Sequence, residues 1–374
     1  KIIDLEGDPR NRGRIHGEEL RLDIQDVIEN YTRAMEIIYQ VDGKAYLEEF
    51  MAYQDFEGAI RRWAPDLFEE VQGIAEGANV TPETALMLQL CDEEATYGVH
   101  RWFSRYHQGK CSTFAVKSDG AHPTLSGQNM DLSGYTENRQ VLFRITDDRT
   151  GLETYIFSYA GIIALDGVNN SPLGVVCNSL WALQPCNNGL PTAFVLRRIL
   201  DQTNFDDAVG FLHEIKHAGG QNFVISTPDQ IGSFECSANN VKEYRARDDG
   251  MRVVHTNRAL VNTDRRAETK DKKTAIPWVM YEADSRCRFA SIGARLAFHD
   301  REITLEDAKN ALRAKDDSKH PVSRELGNHA DFAAIGFTTG SVIYELSDAP
   351  KLHIASGPPS ITEYRTFPFP FERS

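Results

Sequence analysis

The sequence holds no C-x-x-C pair and no G-x-x-x-x-G-K-[ST] loop. The first absence removes the usual spacing of a zinc or redox pair. The second removes the phosphate cradle of nucleotide-driven chemistry. No run of about 18 apolar residues occurs, so no helix is expected to cross a membrane. Basic charge is short, with 41 Lys and Arg against 55 Asp and Glu and a net charge of −14. Nucleic acid is therefore not expected as a partner, because phosphate binding needs a basic surface. The 11 histidines are scattered without a ligand pattern, and neither a metal nor another cofactor is expected. Internal repeats and low-complexity runs are missing too. The first residues, Lys1 to Gly7, carry acids and a turn instead of a signal-peptide core. Six cysteines at irregular spacing read as reduced thiols, which makes a cytoplasmic location the expectation.

What is present is a change of architecture near residue 111. The first 110 positions read as mostly helical. Leu20, Ile24, Val27, Ile28, Tyr31, Met35 and Ile38 recur at helical spacing and predict a helix over 16–39. A second helix is predicted over 59–76, stopped by Gly77. A third starts at the cap Thr81-Pro82 and runs to about residue 94. Asp92, Glu93 and Glu94 are expected on a solvated face. Residues 95–110 are aromatic and basic and read as a loop or linker. Beyond them, strands are predicted over 111–118, 125–130, 140–146, 153–159, 161–166 and 173–177. Helices follow over 191–202 and 205–216. Strands return over 221–226, 232–236, 241–245 and 252–255. Helices over 275–298 and 305–314 precede strands over 332–338, 341–346 and 351–355. Two groups of strands with helices outside them make an α+β chain, a four-layer α/β/β/α sandwich with a helical N-terminal segment. Segments 1–110 and 111–374 are expected to form one compact domain.

Cys111 opens the first strand of the second segment. Most buried cysteines are inert packing. A cysteine at the head of a strand, where the architecture changes, suggests a nucleophile freed by a cut between Lys110 and Cys111. The new α-amine, with a reference pKa of about 7.7–8.0, would act as base for the thiol beside it. Asp131 ends the neighbouring hairpin strand and is expected to hold that amine. Asn178 and Asn257 end two further strands, where side-chain amides can stabilise an oxyanion. Arg288 lies on a predicted helix, in Asp284-Ser285-Arg286-Cys287-Arg288. Pairing with Asp131, or lowering of the thiol pKa, is expected of an arginine there. Each has an ordinary alternative: turn chemistry for Asp131 and the asparagines, a surface ion pair for the arginine. A papain-like Cys–His pair has no local support.

Taken in order, the Cys111 strand, Gly127-Gln128-Asn129-Met130-Asp131, Asn178, His255-Thr256-Asn257 and Ser285-to-Arg288 resemble the acyl-coenzyme A:6-aminopenicillanic acid acyltransferase family. That family belongs to the N-terminal-nucleophile hydrolases, with penicillin V acylase and bile salt hydrolase as cousins. Arg12-Gly13-Arg14-Ile15-His16-Gly17, the stretch from Gly167 to Gly174, and Gly357-Pro358-Pro359 are similar to its glycine-containing landmarks. The resemblance implies that Cys111 is the self-freed nucleophile and Asp131 the holder of its amine. It further implies an oxyanion hole from Asn178 and Asn257, and Arg288 as the helical arginine near the cysteine. Gln128, Asn129 and His255 are candidates for substrate contacts. Core packing behind Asn257 is the other reading of His255, and the commoner role. Lys110 departs from the glycine that precedes the nucleophile in the penicillin acyltransferase type. Gln128 departs from the arginine of the bile salt cousins.

The function expected is a self-cleaving cysteine amidase acting on a small N-acyl amine; family members include hydrolases of β-alanyl amines. An acyltransferase using the same acyl-enzyme is the alternative, as is an uncut binding protein of the same fold. The expected partners are the small substrate and the protein's own two cut chains as a heterodimer, with a homo-oligomer also allowed. The acyl pocket is expected from residues 95–110 and 132–140.

Overall fold

The computed structural model describes residues 1–99, 111–118, 120–246, 250–270, 275–297 and 302–371. The chain begins with β1 (Ile2–Leu5) and seven helices: α1 (Pro9–Glu19), α2 (Arg21–Tyr39), α3 (Gly43–Tyr53), α4 (Glu57–Trp63), α5 (Pro65–Ala78), α6 (Pro82–Gln89) and α7 (Cys91–Val99). Then come β2 (Ser112–Val116), β3 (Thr124–Ser133), β4 (Gln140–Thr146), β5 (Glu153–Tyr159), β6 (Asp166–Asn169) and β7 (Gly174–Ser179). Helices α8 (Thr192–Leu200) and α9 (Phe205–Glu214) precede β8 (Gln221–Ser226), β9 (Ile231–Cys236), β10 (Val241–Tyr244) and β11 (Arg252–His255). The last third holds α10 (Ala275–Arg295), α11 (Leu305–Leu312), β12 (Gly336–Leu346), β13 (Lys351–Ala355) and β14 (Arg365–Pro368).

The strands form two sheets. One has the order β1-β4-β5-β6-β7-β8-β9-β10 and the other β11-β2-β3-β12-β13-β14. Strands β2 and β3 pack against β7 and β8 across the interior, so the sheets lie face to face. Helices α8 and α9 cover the first sheet; α10 and α11 cover the second. The result is the four-layer α/β/β/α sandwich expected. Alternating apolar positions in both sheets feed one large core.

Several predicted helices divide where the backbone leaves the helical region. The helix predicted over 16–39 is two, because Leu20 takes φ −118° and ψ 16°. The one over 59–76 breaks at Ala64, whose successor Pro65 excludes helical geometry at the preceding residue. Asp42 caps an unforeseen α3 by accepting the N–H of Ala45. Residues 95–99, expected as loop, continue α7. Of the strand predicted over 332–338, Phe332–Ala334 is a 3-10 turn, and the rest joins the one predicted over 341–346 in a single strand, β12, with a bulge between Thr338 and Gly340. The strand predicted over 161–166 is displaced to β6.

Helices α1 and α5 meet through glycines. A Cβ on Gly13 would lie 1.8 Å from the Glu70 carbonyl oxygen, and one on Gly73 2.1 Å from that of Arg10. Gly17 and Gly77 continue the seam one turn on. The buried Glu70 carboxylate lies beside it and takes both guanidinium Nη atoms of Arg197 on α8, at 2.6 and 3.0 Å. Burial alone would raise the Glu70 carboxyl, but Arg197 and Arg12 hold it below its ordinary value. β1 joins the first sheet by pairing in parallel with β4.

Candidate active site

Cys111 stands immediately before β2, which is flanked by β11 and β3. Ser112 pairs with Asn129 and Thr113 with His255. That register sets Cys111 beside Met130, and its Sγ lies 3.4 Å from the Met130 Sδ. The thiol is buried and lines a narrow cavity of about 30 Å³ between the sheets. Burial first, then the charge of Asp131, pushes it up to about 12. Among the described residues the cavity wall also includes Gln89, Asp92, Ile162, Leu165, Ala193 and Leu196. The expected stretch 132–140 contributes Leu132 only. Lys110 and residues 100–109 lie outside the described residues.

Side-chain alternation sorts β3 into two faces. Gln128 and Met130 point between the sheets. The Gln128 Oε1 accepts the Cys177 N–H at 2.8 Å, so this side chain ties β3 to β7, and its Nε2 lies 3.4 Å from the Met130 Sδ. Asn129 points to the helical layer, where its Nδ2 donates to the Leu312 and Val322 carbonyls at 2.8 and 2.9 Å. The Asn129 geometry does not suit the substrate contact expected of that residue.

Asp131 accepts the Thr338 hydroxyl on Oδ1 at 2.6 Å. Its Oδ2 is buried without a hydrogen-bond partner. The Arg324 Nε is 3.9 Å away from that oxygen. Burial raises the carboxyl to about 6, against the pull of Arg324 and the Thr338 bond. Of the two roles expected of Arg288, pairing with Asp131 is not what its hydrogen bonds do, while its charge does draw the Cys111 thiol downward against the stronger effect of burial. The Arg288 Nε donates to the Asp284 Oδ2 at 2.9 Å, one helical turn back. Its Nη1 donates to the Cys111 carbonyl at 2.7 Å and to the Ser112 hydroxyl at 2.9 Å. Its Nη2 donates to the Asn257 Oδ1 at 2.9 Å. This fully buried fork fixes Cys111 and Asn257 relative to each other.

The Arg288 bond also sets the orientation of the Asn257 amide, because a guanidinium only donates. One Asn257 N–H then goes to the Ser179 carbonyl at 3.1 Å, and the other has no partner among the described residues. Asn178 differs. Its Nδ2 donates to the His255 Nδ1 at 3.0 Å and to the Thr256 carbonyl. Its Oδ1 accepts from Thr113 at 3.0 Å and Asn222 at 3.3 Å. Both amide hydrogens are committed, so the side chain is not the free donor expected. The fully buried His255 accepts from Asn178 on Nδ1, which leaves the proton on Nε2 for the Glu235 Oε1 at 2.9 Å. His255 thus supports Asn178, as the core reading has it, and does not face the cavity.

The acids expected on a solvated face turn inward. Glu93 and Glu94 are buried, and Asp92 reaches the cavity. Asp92 accepts the Ser179 hydroxyl at 2.8 Å, and burial raises its carboxyl. Glu94 accepts from Tyr46 at 2.6 Å and Tyr31 at 3.1 Å, with burial raising it to about 7. Asp284, Thr338 and Arg324 also escaped the sequence reading. Only Asp284 carried a signal, its spacing of four from Arg288.

The layers form an α/β/β/α sandwich, and Cys111 heads a strand of one of the two inner sheets. Residues 117–341 match the model of the family described as acyl-coenzyme A:6-aminopenicillanic acid acyl-transferase, and the chain belongs to that family. The match spans Asp131, Asn178, Asn257 and Arg288 and begins after Cys111. The chain is 27% identical over 267 residues to the acyl-coenzyme A:6-aminopenicillanic-acid-acyltransferase 40 kDa form of Emericella nidulans, covering 70% of each. It is also similar to a mutant form of conjugated bile acid hydrolase from Clostridium perfringens, with 13% identity and a TM-score of 0.43 over 69% of this chain and 96% of that one. Penicillin V acylase from Agrobacterium tumefaciens gives 16% identity and a TM-score of 0.42 over 69% of this chain and 85% of its own.

Proposed function

We propose that the protein is a cysteine amidase that cuts itself between Lys110 and Cys111 and then hydrolyses a small N-acyl amine. The observation that carries this reading is the Asp131 Oδ2, a buried acceptor without a hydrogen-bond partner on the strand beside Cys111. An α-amine released on Cys111 gives that oxygen a donor, which becomes cationic once the neutral amine has taken a proton. The same amine takes the thiol proton, which a thiol held at about 12 gives up poorly on its own. The thiolate then attacks the acyl carbonyl. The uncommitted N–H of Asn257 receives the oxyanion, and Arg288 fixes the Asn257 amide from behind. The amine product leaves with a proton, and water hydrolyses the thioester. Asn178 and His255 position Thr113 and Thr256 around this centre.

The two cut chains stay together as a heterodimer. The Glu70–Arg197 pair and the pairing of β1 with β4 tie residues 1–110 to the rest, and Asp92 of the first chain lines the cavity. The name of the Emericella relative favours a second reading, in which an acceptor amine replaces water at the thioester.

The test is intact mass of wild type beside Cys111→Ala, followed by incubation with a panel of N-acyl amines. Wild type is expected as two co-eluting chains, with the acyl group added to the chain that starts at Cys111. Added amine acceptors separate hydrolysis from transfer by the ratio of acid to new amide. A wild-type chain that stays whole and takes no acyl group sinks the reading and leaves an uncut binding protein.

A further inference from the structure

Away from the cavity, three side chains from distant parts of the sequence converge. The ligand atoms of Cys287, Asp317 and His320 all lie within 4.8 Å of one another. Cys287 is on α10, one turn after Asp284. Asp317 and His320 sit on the exposed loop that follows α11. The Asp317 Oδ1 accepts the backbone N–H groups of Lys319 at 2.8 Å and His320 at 3.3 Å, a tight turn that holds the carboxylate and the ring together. The His320 Nδ1 is held by the Asp284 Oδ1 at 2.9 Å. A carboxylate behind an imidazole is the arrangement that orients metal-ligating histidines, and it leaves Nε2 as the nitrogen for the metal.

We propose that Cys287, Asp317 and His320 bind a zinc-class divalent ion, with Asp284 as the carboxylate that orients His320. A thiolate with an imidazole selects such an ion over magnesium or calcium, which prefer all-oxygen sets. Around a tetrahedral zinc with bonds of about 2.0–2.3 Å, ligand atoms are roughly 3.3–3.6 Å apart. The cluster closes by about 1 Å to reach that geometry. Binding replaces the Cys287 S–H bond with an S–metal bond and releases one proton to solvent. Asp284 shares its other oxygen with Arg288, so the ion is connected to the group that fixes Cys111 and Asn257. The site stands whether or not the amidase reading does.

The experiment is titration of the full chain with Co²⁺, in wild type and in Cys111→Ala, read by the thiolate-to-cobalt charge-transfer band and the visible bands of tetrahedral cobalt. One equivalent is expected to bind in both proteins and to be displaced by Zn²⁺. Cys287→Ser is expected to lose the charge-transfer band. His320→Ala, read independently in case Cys287→Ser folds poorly, is expected to weaken binding at least tenfold with an unchanged circular dichroism spectrum. Absence of the band at one equivalent overturns the proposal. A band of full strength in Cys287→Ser also overturns it, by assigning the ion to another thiol.

Discussion

Arg288 makes hydrogen bonds to four groups at once and is wholly enclosed. Arg288→Met removes a buried cation and strips a partner from Asp284, a change that costs about 3–5 kcal/mol in comparable buried pairs. Denaturant unfolding in the Cys111→Ala background, where no cut intervenes, measures that loss directly. Asn257→Ala is expected to lower kcat about 10²–10³-fold while the chain still cuts and folds, the cost of one oxyanion donor. Asn178→Ala is expected to cost stability first, seen as a lower melting temperature, because its amide joins four groups and has no N–H to spare. Cys111, Asn257 and Arg288, grouped on sequence, are neighbours in the structure. The sequence could not reveal how one residue type divides between roles. Asn178 and Asn257 both end strands, and only the three-dimensional partners distinguish a committed amide from an uncommitted one. Gln128 and Asn129 are adjacent in the chain, so the pleat sends them to opposite faces.

At the scale of elements, the seam between α1 and α5 depends on having no side chains. Gly13→Ala would place a methyl group against the Glu70 carbonyl, backbone that cannot step aside. Overpacking of this kind costs about 1–3 kcal/mol, and thermal unfolding of Gly13→Ala beside Gly58→Ala, a helical glycine with open space, isolates the steric part. Strands were the most legible elements. β4, β5, β8, β11 and β13 run where alternation and β-formers place them. Helix boundaries were less so, because apolar spacing continues across Leu20 and Leu90 while the backbone does not. The acids of α7 misled for a related reason. Charge predicts solvent, but Glu94 is enclosed by tyrosine hydroxyls that sequence distance hides.

For the whole molecule, buried acids set the response to pH. Glu94 is raised to about 7 and Asp166 to about 8, both by burial. In the unfolded chain such groups titrate near 4, so their contribution is complete below about pH 4 and is lost as pH rises to about 8. His16 and His217 are lowered to about 3 and 4 by burial. Their contribution is present above about pH 6.5 and lost as pH falls below it. Between about pH 6.5 and 8 the acids dominate, and Glu94 with Asp166 is expected to lower stability by roughly 2 kcal/mol. Melting temperatures of Cys111→Ala at those two values test this, and Glu94→Gln should shrink the Glu94 and Asp166 share of the difference by about a third. Among the described residues, no helix is long and apolar enough to cross a membrane.

The parallel pairing of β1 with β4 has a practical meaning for anyone who would make the segment from Cys111 onward by itself. β4 is seven residues long and pairs on its other side with β5. A chain begun at Cys111 has no β1, and the whole flank of β4 becomes a bare row of amide donors and acceptors, a template for another copy's edge. Residues 1–110 therefore work as a sheet guard as well as a wall of the cavity, and the second segment made alone is expected to associate with itself unless the first is supplied with it.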